Sequence, residues 1–243
     1  MGFAENSKER NKIKVLCLHG IGTNAEVLEA QTGRCRYSSA ERAFNELMID
    51  SCSKGAYPWP VAPEISRIFG DQQIYRSYFD ESGDSLKDAL DDLDQYVTSN
   101  GPFHVVMGFS LGAAFAATLL LRDEMRRSKS EPNHYHILAK AEPRFKCAIF
   151  ICGTLPPDLN ALEHGDIQAL RAKDVHSVIT VPTVHLWSTE DVDHAAQSKE
   201  LVQMCEERSR VEILHAGGHS VPHQGDELKA AAAVVHEIVN RNA

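Results

Sequence analysis

The chain has 243 residues, of which 43% are hydrophobic and 24% are charged, and its formal net charge is -9. A chain of this size can bury a sizeable core, and we expect one domain over residues 1–243. Nucleic-acid binders gain most of their affinity from clustered Lys and Arg, so the acidic balance argues against a nucleic-acid partner. No window approaches the ~20 consecutive apolar residues of a membrane span, so no membrane partner is expected.

The N-terminal segment MGFAENSKERNK is polar and leads directly into a strand-like run. It lacks the apolar core of a secretory signal peptide, so we expect a cytoplasmic protein. The reducing cytosol favours free cysteines over disulfides. Cys17, Cys147 and Cys152 lie inside apolar runs, which predicts that they are small buried hydrophobic side chains.

Continuous apolar runs alternate with amphipathic segments along most of the chain. Such runs predict buried strands of a parallel sheet, and the helical spacing between them predicts the helices that cover it. The expected fold class is α/β, with a mostly parallel, doubly wound sheet flanked by helices. Five central strands are predicted at 13–20, 103–109, 147–153, 181–188 and 211–217, and helices at 85–97, 111–127, 195–207 and 226–240.

Two stretches interrupt this alternation. Residues 30–80 include AERAFNELMID, whose spacing fits a helix, followed by a proline-containing segment without a clean period, so no strand is predicted there. Residues 154–178 are longer than a simple connection between two strands needs. We expect short cap or lid segments around 55–80 and 154–178, as excursions from one core.

The stretch MGFSLGAA places Ser110 between Gly108 and Gly112, after a strand-like run and before a helical one. In a sharp strand-to-helix turn the central residue is strained, and the residues two positions before and after it must have very small side chains. Such a turn exposes the serine hydroxyl at the top of the sheet, beside the free N–H groups of the helix start. Ser110 is therefore the predicted nucleophile, and the alternative is a turn serine that caps the helix.

A serine hydroxyl becomes a good nucleophile only beside a histidine base that a carboxylate orients. In α/β-hydrolases the chain order is Ser, then acid, then His. His219 lies in a glycine-rich loop after the last strand-like run, and it is the predicted base. His215, at the strand end, and His223, after a proline, are the alternatives and are expected to be structural or to lie at the pocket rim.

The histidines also raise a metal-site alternative. His215, His219 and His223 are spaced four residues apart, which on a helix would place them on one face. The glycines and the proline between them argue against a continuous helix. His134 and His136 fit a polar surface loop. We therefore predict neither a metal nor another cofactor.

The acid is expected in the loop that follows the strand-like run VPTVHLWS. Asp191 is the predicted acid, with Asp193 as the alternative. Asp193 precedes a helical segment and would serve as its N-cap, while Glu190 is expected to face water.

Two backbone N–H groups are needed to stabilise the oxyanion of a tetrahedral intermediate. Leu111 follows the nucleophile and supplies the first predicted donor. The loop HGIGTN follows the first strand, and Ile21 is the predicted second donor. His19 opens this loop, and we expect it to brace the loop rather than to transfer a proton.

With these residues assembled, the sequence resembles the fungal serine hydrolase family of α/β-hydrolases, which includes polyketide-releasing thioesterases of the lovastatin type and related esterases. The matching motifs are LCLHGIGTN, YPWPVAPEISRIF with YRSYFD, ALDDLDQYV, GPFHVVMGFSLGAA, VPTVHLWSTED and HAGGHSVP. The resemblance implies a triad of Ser110, Asp191 and His219, and it makes residues 57–80 a wall of the substrate pocket. Two features depart from the family pattern: Leu111 replaces a frequent Gln, and residues 46–60 lack a clear strand and acidic turn.

The predicted function is hydrolysis of an acyl ester or thioester through an acyl-enzyme, with release of a polyketide or fatty acyl chain in secondary metabolism as its biological setting. The partners would be a small-molecule acyl substrate and an acyl carrier protein. Acyl transfer with the same triad is the alternative activity, and a non-catalytic binding protein is the alternative class. A basic patch that could dock an acidic carrier, or else form a solvated helix end, comprises Arg122, Arg126, Arg127 and Lys129.

Overall fold

The computed structural model describes residues 13–33, 47–53, 55–129, 142–222 and 226–241. The strands are β1 (Ile13–Leu18), β2 (Leu47–Ser53), β3 (Tyr57–Pro58), β4 (Arg76–Ser77), β5 (Val105–Phe109), β6 (Cys147–Ile151), β7 (Thr183–Trp187) and β8 (Arg210–Leu214). The helices are α1 (Ala25–Gly33), α2 (Pro63–Phe69), α3 (Gly83–Asn100), α4 (Leu111–Lys129), α5 (Leu159–Glu163), α6 (Ala195–Gln203) and α7 (Asp226–Arg241).

Six strands form the main sheet in the order β2-β1-β5-β6-β7-β8, and every neighbouring pair is parallel. The chain therefore moves outward from β1 to β2 and then returns to place β5 on the other side of β1. This reversal creates a crevice at the carboxyl ends of β1 and β5, which is where open α/β sheets bind their ligands. The predicted α/β class with a mostly parallel sheet is confirmed.

The side chains of the central strands alternate between two apolar cores. In β1, Leu16 and Leu18 belong to the core that includes residues of α3, α4 and α6. Val15 and Cys17 belong to the opposite core, which includes residues of α1 and α7. Strands buried on both faces read as continuous apolar runs, which explains why these strands are visible in the sequence.

Helix α3 shows how the covering helices form. The side chain of its N-cap, Ser82, accepts a hydrogen bond from Ser85 N, which satisfies one free N–H group of the first turn. The helix then buries one stripe of apolar residues against the sheet and α4. The buried apolar residues are Leu86, Leu90, Leu93 and Val97. All four predicted helices are present, but α3 extends past its predicted span at both ends and α6 ends at Gln203 instead of residue 207. Every helix in the described part of the chain is too short or too polar to span a lipid bilayer.

One prediction about the strands was wrong, and one strand of the main sheet was not predicted. The fifth predicted strand, β8, is an edge strand rather than a central one, and Leu214 at its end is 55% exposed. Its sequence includes Arg210 and Glu212, which an edge tolerates because one side of the strand faces solvent. Residues 47–53 form the parallel edge strand β2, although no strand was predicted within 30–80. The helical interpretation of AERAFNELMID therefore fails over its last residues, and its first part lies outside the described residues.

Both predicted excursions contain short elements. Residues 55–80 form the antiparallel pair of β3 and β4 together with α2. Residues 154–178 contain α5 and a short 3-10 helix at Ala172–Asp174. This second segment packs closely on α3, because a Cβ added to Gly83 would lie 2.5 Å from the carbonyl oxygen of Gly165. That residues 1–243 form a single domain stays a prediction.

Candidate active site

The turn between β5 and α4 has the geometry of a nucleophile elbow. Ser110 has a φ of 53°, in the left-handed region that non-glycine residues seldom adopt. A Cβ on Gly108 would lie 2.3 Å from the carbonyl oxygen of Gly112, and one on Gly112 would lie 2.1 Å from that of Leu18. Both positions therefore require glycine, since backbone atoms fill the space that a side chain would need. The buried alanines that follow let α4 lie against the sheet.

Ser110, His219 and Asp191 form a continuous hydrogen-bonded chain. His219 Nε2 lies 2.9 Å from Ser110 Oγ, and His219 Nδ1 lies 2.6 Å from Asp191 Oδ2. An ionised carboxylate only accepts hydrogen bonds, so Nδ1 carries the proton and donates it to Asp191. In the neutral ring, Nε2 is then free to accept the hydrogen bond of the Ser110 hydroxyl. This is the tautomer that a general base requires.

Asp191 is fixed by the start of α6. Its side chain is 3% exposed, and Oδ1 accepts a hydrogen bond from His194 N at 3.1 Å, which leaves Oδ2 for His219. The alternative acid, Asp193, is exposed, and so is Glu190. The predicted N-cap role of Asp193 was wrong: the N-cap residue of α6 is His194, with no side-chain cap bond. The buried carboxylate of Asp191 instead accepts a hydrogen bond from the backbone N–H of His194.

Two rings and one thiol surround the His219 imidazole. Phe109 lies with its ring centroid 5.2 Å from that of His219, and the His194 ring lies at 4.3 Å. His194 Nδ1 is also 3.4 Å from Asp191 Oδ1. His194 was not predicted from the sequence, although its position three residues after the acid, at the start of a helix, was the available signal. Cys152 directly follows β6, and its buried sulfur lies within 4.8 Å of a ring nitrogen of His219.

The alternative histidines have other positions. His215 follows β8 directly and is buried, as expected of a structural residue, while His223 lies outside the described residues. His134 and His136 also lie outside them.

One group of three potential metal-ligating residues stands out in the described part of the chain. Cys152, Asp191 and His219 each offer a ligand atom, and these atoms lie within 4.8 Å of one another. Metal ligation needs a thiolate, but burial raises the pKa of Cys152 to about 12. The Asp191 and His219 atoms already bond each other. The group is therefore poorly suited to hold a metal ion.

The loop after β1 lies against the serine. A Cβ on Gly20 would be 3.2 Å from Ser110 Cβ, so the following N–H groups pass close to the nucleophile. Gly22 N donates to Arg76 O at 3.0 Å, whereas Ile21 N and Leu111 N make no hydrogen bond within the described residues. Both N–H groups therefore remain available to a ligand, as an oxyanion donor requires, and their role as the oxyanion hole stays a prediction.

His19 braces this loop, as predicted. Its Nδ1 donates to Gly20 O at 2.7 Å and its Nε2 accepts from Gly55 N at 3.2 Å, so both ring nitrogens are used. The ring also stacks on Tyr78, with the centroids 4.7 Å apart. Burial lowers the pKa of His19 to about 4, so the ring is neutral at neutral pH.

The burial predicted for the side chains of Cys17, Cys147 and Cys152 is confirmed.

Comparison with known proteins agrees with this geometry. The family described as "Serine hydrolase (FSH1)" matches residues 8–231. Esterase FPY3 of Fusarium mangiferae is 35% identical over 232 residues, which cover 94% of this chain and 98% of that protein. Esterase pigG of Monascus ruber is 28% identical, with 93% and 90% covered.

The fold also matches solved structures. The crystal structure of a Bacillus cereus carboxylesterase aligns with a TM-score of 0.54 at 18% identity, over 93% of this chain and 89% of that one. At this identity the likeness concerns the fold alone, whereas the sequence matches extend along nearly the whole chain. The chain therefore belongs to the serine hydrolase (FSH1) family, and it is an enzyme with the α/β-hydrolase fold.

Proposed function

We propose that this enzyme cleaves acyl esters through a covalent acyl-enzyme at Ser110. The observation that carries the proposal is the hydrogen-bonded chain from Ser110 Oγ through both nitrogens of His219 to Asp191, with distances of 2.9 and 2.6 Å. This arrangement directs one nitrogen of His219 at the Ser110 hydroxyl and the other at a carboxylate, as nucleophilic attack needs. The names of the esterase relatives support the same reaction class.

In the first half-reaction, Ser110 Oγ attacks the acyl carbonyl carbon while its proton passes to His219 Nε2. The imidazolium that forms is stabilised by Asp191, and the oxyanion accepts hydrogen bonds from Leu111 N and Ile21 N. When the tetrahedral intermediate collapses, the carbon–oxygen bond to the leaving group breaks and His219 returns its proton to the leaving alcohol. Water, activated by His219, then attacks the acyl-enzyme and releases the acid.

A narrower proposal is that the substrate is a thioester, with a polyketide or fatty acyl chain on a carrier protein. It is supported by the resemblance to polyketide-releasing thioesterases, and the same steps apply with a thiol as the leaving group. The basic patch gives this partner little support. Arg122, Arg126 and Arg127 form ion pairs with Asp91, Asp94, Asp123 and Glu124, so they add little net positive charge for docking. The cytoplasmic location likewise stays a prediction.

The direct test is intact-mass detection of an acyl adduct after brief exposure to a panel of acyl esters and acyl thioesters. We expect a mass increase equal to the acyl group, located on Ser110 by peptide mapping and absent from Ser110→Ala. Ser128→Ala is the matched control, because Ser128 is an exposed serine near the other end of α4. A Ser110→Ala variant that turns over esters as fast as the wild type would overturn the proposal. The relative adduct yields decide between ester and thioester substrates.

A further inference from the structure

The loop that carries His219 has few apolar anchors. It leaves the exposed edge strand β8, and Ala216 and Gly217 are exposed. The first largely buried apolar side chain after His219 is Val221, at 2% exposure. Glycine at 217 and 218 adds conformational freedom that the folded state has to restrict. Hydrophobic packing of the loop itself therefore does little to fix the position of the His219 ring.

A chain of polar contacts ties both sides of this loop to the centre of the sheet. Gly217 N donates to His215 Nδ1 at 3.1 Å, and His215 Nε2 lies 3.6 Å from Cys152 Sγ. Cys152 Sγ in turn lies 3.4 Å from Ser220 O and 3.6 Å from Gly218 O. The side chains of His215 and Cys152 thus hold the residues on either side of His219.

The protonation states follow from these contacts. His215 Nδ1 accepts a hydrogen bond, so the proton of the neutral ring sits on Nε2 and is donated to the sulfur. Burial lowers the pKa of His215 and raises the pKa of the Cys152 thiol to about 12. Both groups therefore keep the uncharged forms that this chain needs. The thiol proton is left to bond the loop carbonyls.

The backbone of Cys152 has an unusual conformation at this contact. Its φ of 44° lies in the left-handed region, which is unfavourable for a non-glycine residue. Cys152 N donates to Leu186 O at 2.8 Å, which anchors the residue to β7. An unfavourable conformation at the end of a central strand, with a side chain directed at the histidine loop, is the kind of outlier that marks a functional constraint.

We propose that His215 and Cys152 are positioning residues that hold the 216–220 loop so that His219 Nε2 stays within reach of Ser110 Oγ. The inference rests on the proposed function, because positioning matters only if His219 acts as the base. The hydrogen bonds of the two side chains go to each other and to the loop backbone, not to Ser110 Oγ or the His219 ring. A misplacement of a catalytic group by about 1 Å can lower the rate by roughly a hundredfold.

The test compares His215→Phe, which keeps the ring volume and removes both nitrogens, with His215→Asn, whose amide oxygen can accept from Gly217 N. We expect His215→Phe to lower kcat on a p-nitrophenyl ester by about tenfold to a hundredfold, with KM unchanged. Labelling of Ser110 by a fluorophosphonate probe should slow in parallel. His215→Asn should recover part of both rates. Cys152→Ala should lower kcat in the same way as His215→Phe, since it cuts the chain at its centre.

His185→Phe is the matched control, because His185 is another buried histidine, on β7, and its side chain bonds Thr183 on the same strand. It should leave kcat unchanged, and thermal unfolding of each variant shows whether the fold is retained. Wild-type kcat in both folded variants, His215→Phe and Cys152→Ala, would overturn this inference but leave the proposed function standing. If His215→Phe does not fold, wild-type kcat in folded His215→Asn and Cys152→Ala would overturn it equally. A wild type that is neither labelled nor active would instead remove the proposed function, and this inference with it.

Discussion

Replacing Asp191 with asparagine should stop catalysis by trapping His219 in the wrong tautomer. Asp191 Oδ1 accepts from His194 N, so the amide oxygen of the asparagine has to occupy that position. The amide NH₂ group then faces His219 Nδ1, where the carboxylate oxygen stood at 2.6 Å. An NH₂ group donates, so Nδ1 becomes an acceptor and the ring proton moves to Nε2. Nε2 can then no longer accept the proton of Ser110.

The expected loss is large because no alternative arrangement satisfies both contacts of residue 191. The corresponding exchange in a serine protease lowers kcat by about 10⁴-fold, equivalent to about 5.5 kcal/mol in the activation barrier. We expect a similar loss in kcat for p-nitrophenyl ester hydrolysis at neutral pH. Since the two side chains have nearly the same shape, the thermal unfolding midpoint should change little.

The matched control for this exchange is Asp193→Asn, two residues further along. Asp193 is exposed, so its exchange should leave kcat near the wild-type value. The reasoning would be refuted if folded Asp191→Asn kept a tenth or more of the wild-type kcat. It would also be refuted if Asp193→Asn lost as much activity as Asp191→Asn, because the acid would then be wrongly identified.

Three further predictions follow from the fold. Gly112→Ala should lower the free energy of unfolding by about 3 kcal/mol or more in urea titrations, because its Cβ would meet Leu18 O at 2.1 Å. Gly70→Ala, whose Cβ meets nothing within 4 Å, should cost about 1–3 kcal/mol through backbone strain alone, because φ 72° with ψ -172° is a conformation that almost only glycine adopts. Burial lowers the pKa of His19 to about 4 and that of His185 to about 3, so the unfolded chain binds protons that the folded chain does not. Stability should therefore be full above pH 6.5 and fall by about 2 kcal/mol per histidine down to pH 5, less steeply in His185→Phe.

The sequence was informative where local chemistry determines structure. The central strands are apolar throughout because both of their faces are covered, and the elbow at Ser110 needs glycine at two fixed positions. The order serine, acid, histidine along the chain then predicted which loops carry Asp191 and His219. The structure brings these three residues together, as the sequence analysis expected.

The remaining features depend on pairings between distant parts of the chain. β2 is an edge strand whose position follows from its parallel register with β1, and its own sequence has no period that reveals it. The contact of Cys152 with the histidine loop joins residues 68 positions apart, and it appears only once the sheet is assembled. The stacking of His194 on His219 is equally a product of the tertiary fold.

The loop that offers Ile21 N is held by the excursion between β2 and α3. Ala62 N donates to Gly22 O at 2.9 Å, and the backbone of Arg76 bonds residues on this loop in both directions. If residues 57–80 also line the substrate pocket, one segment both selects the acyl group and supports the group that stabilises its oxyanion. Substitutions that broaden substrate choice there would then alter turnover at the same time. An evolving enzyme of this design would change its specificity more freely through other walls of the pocket.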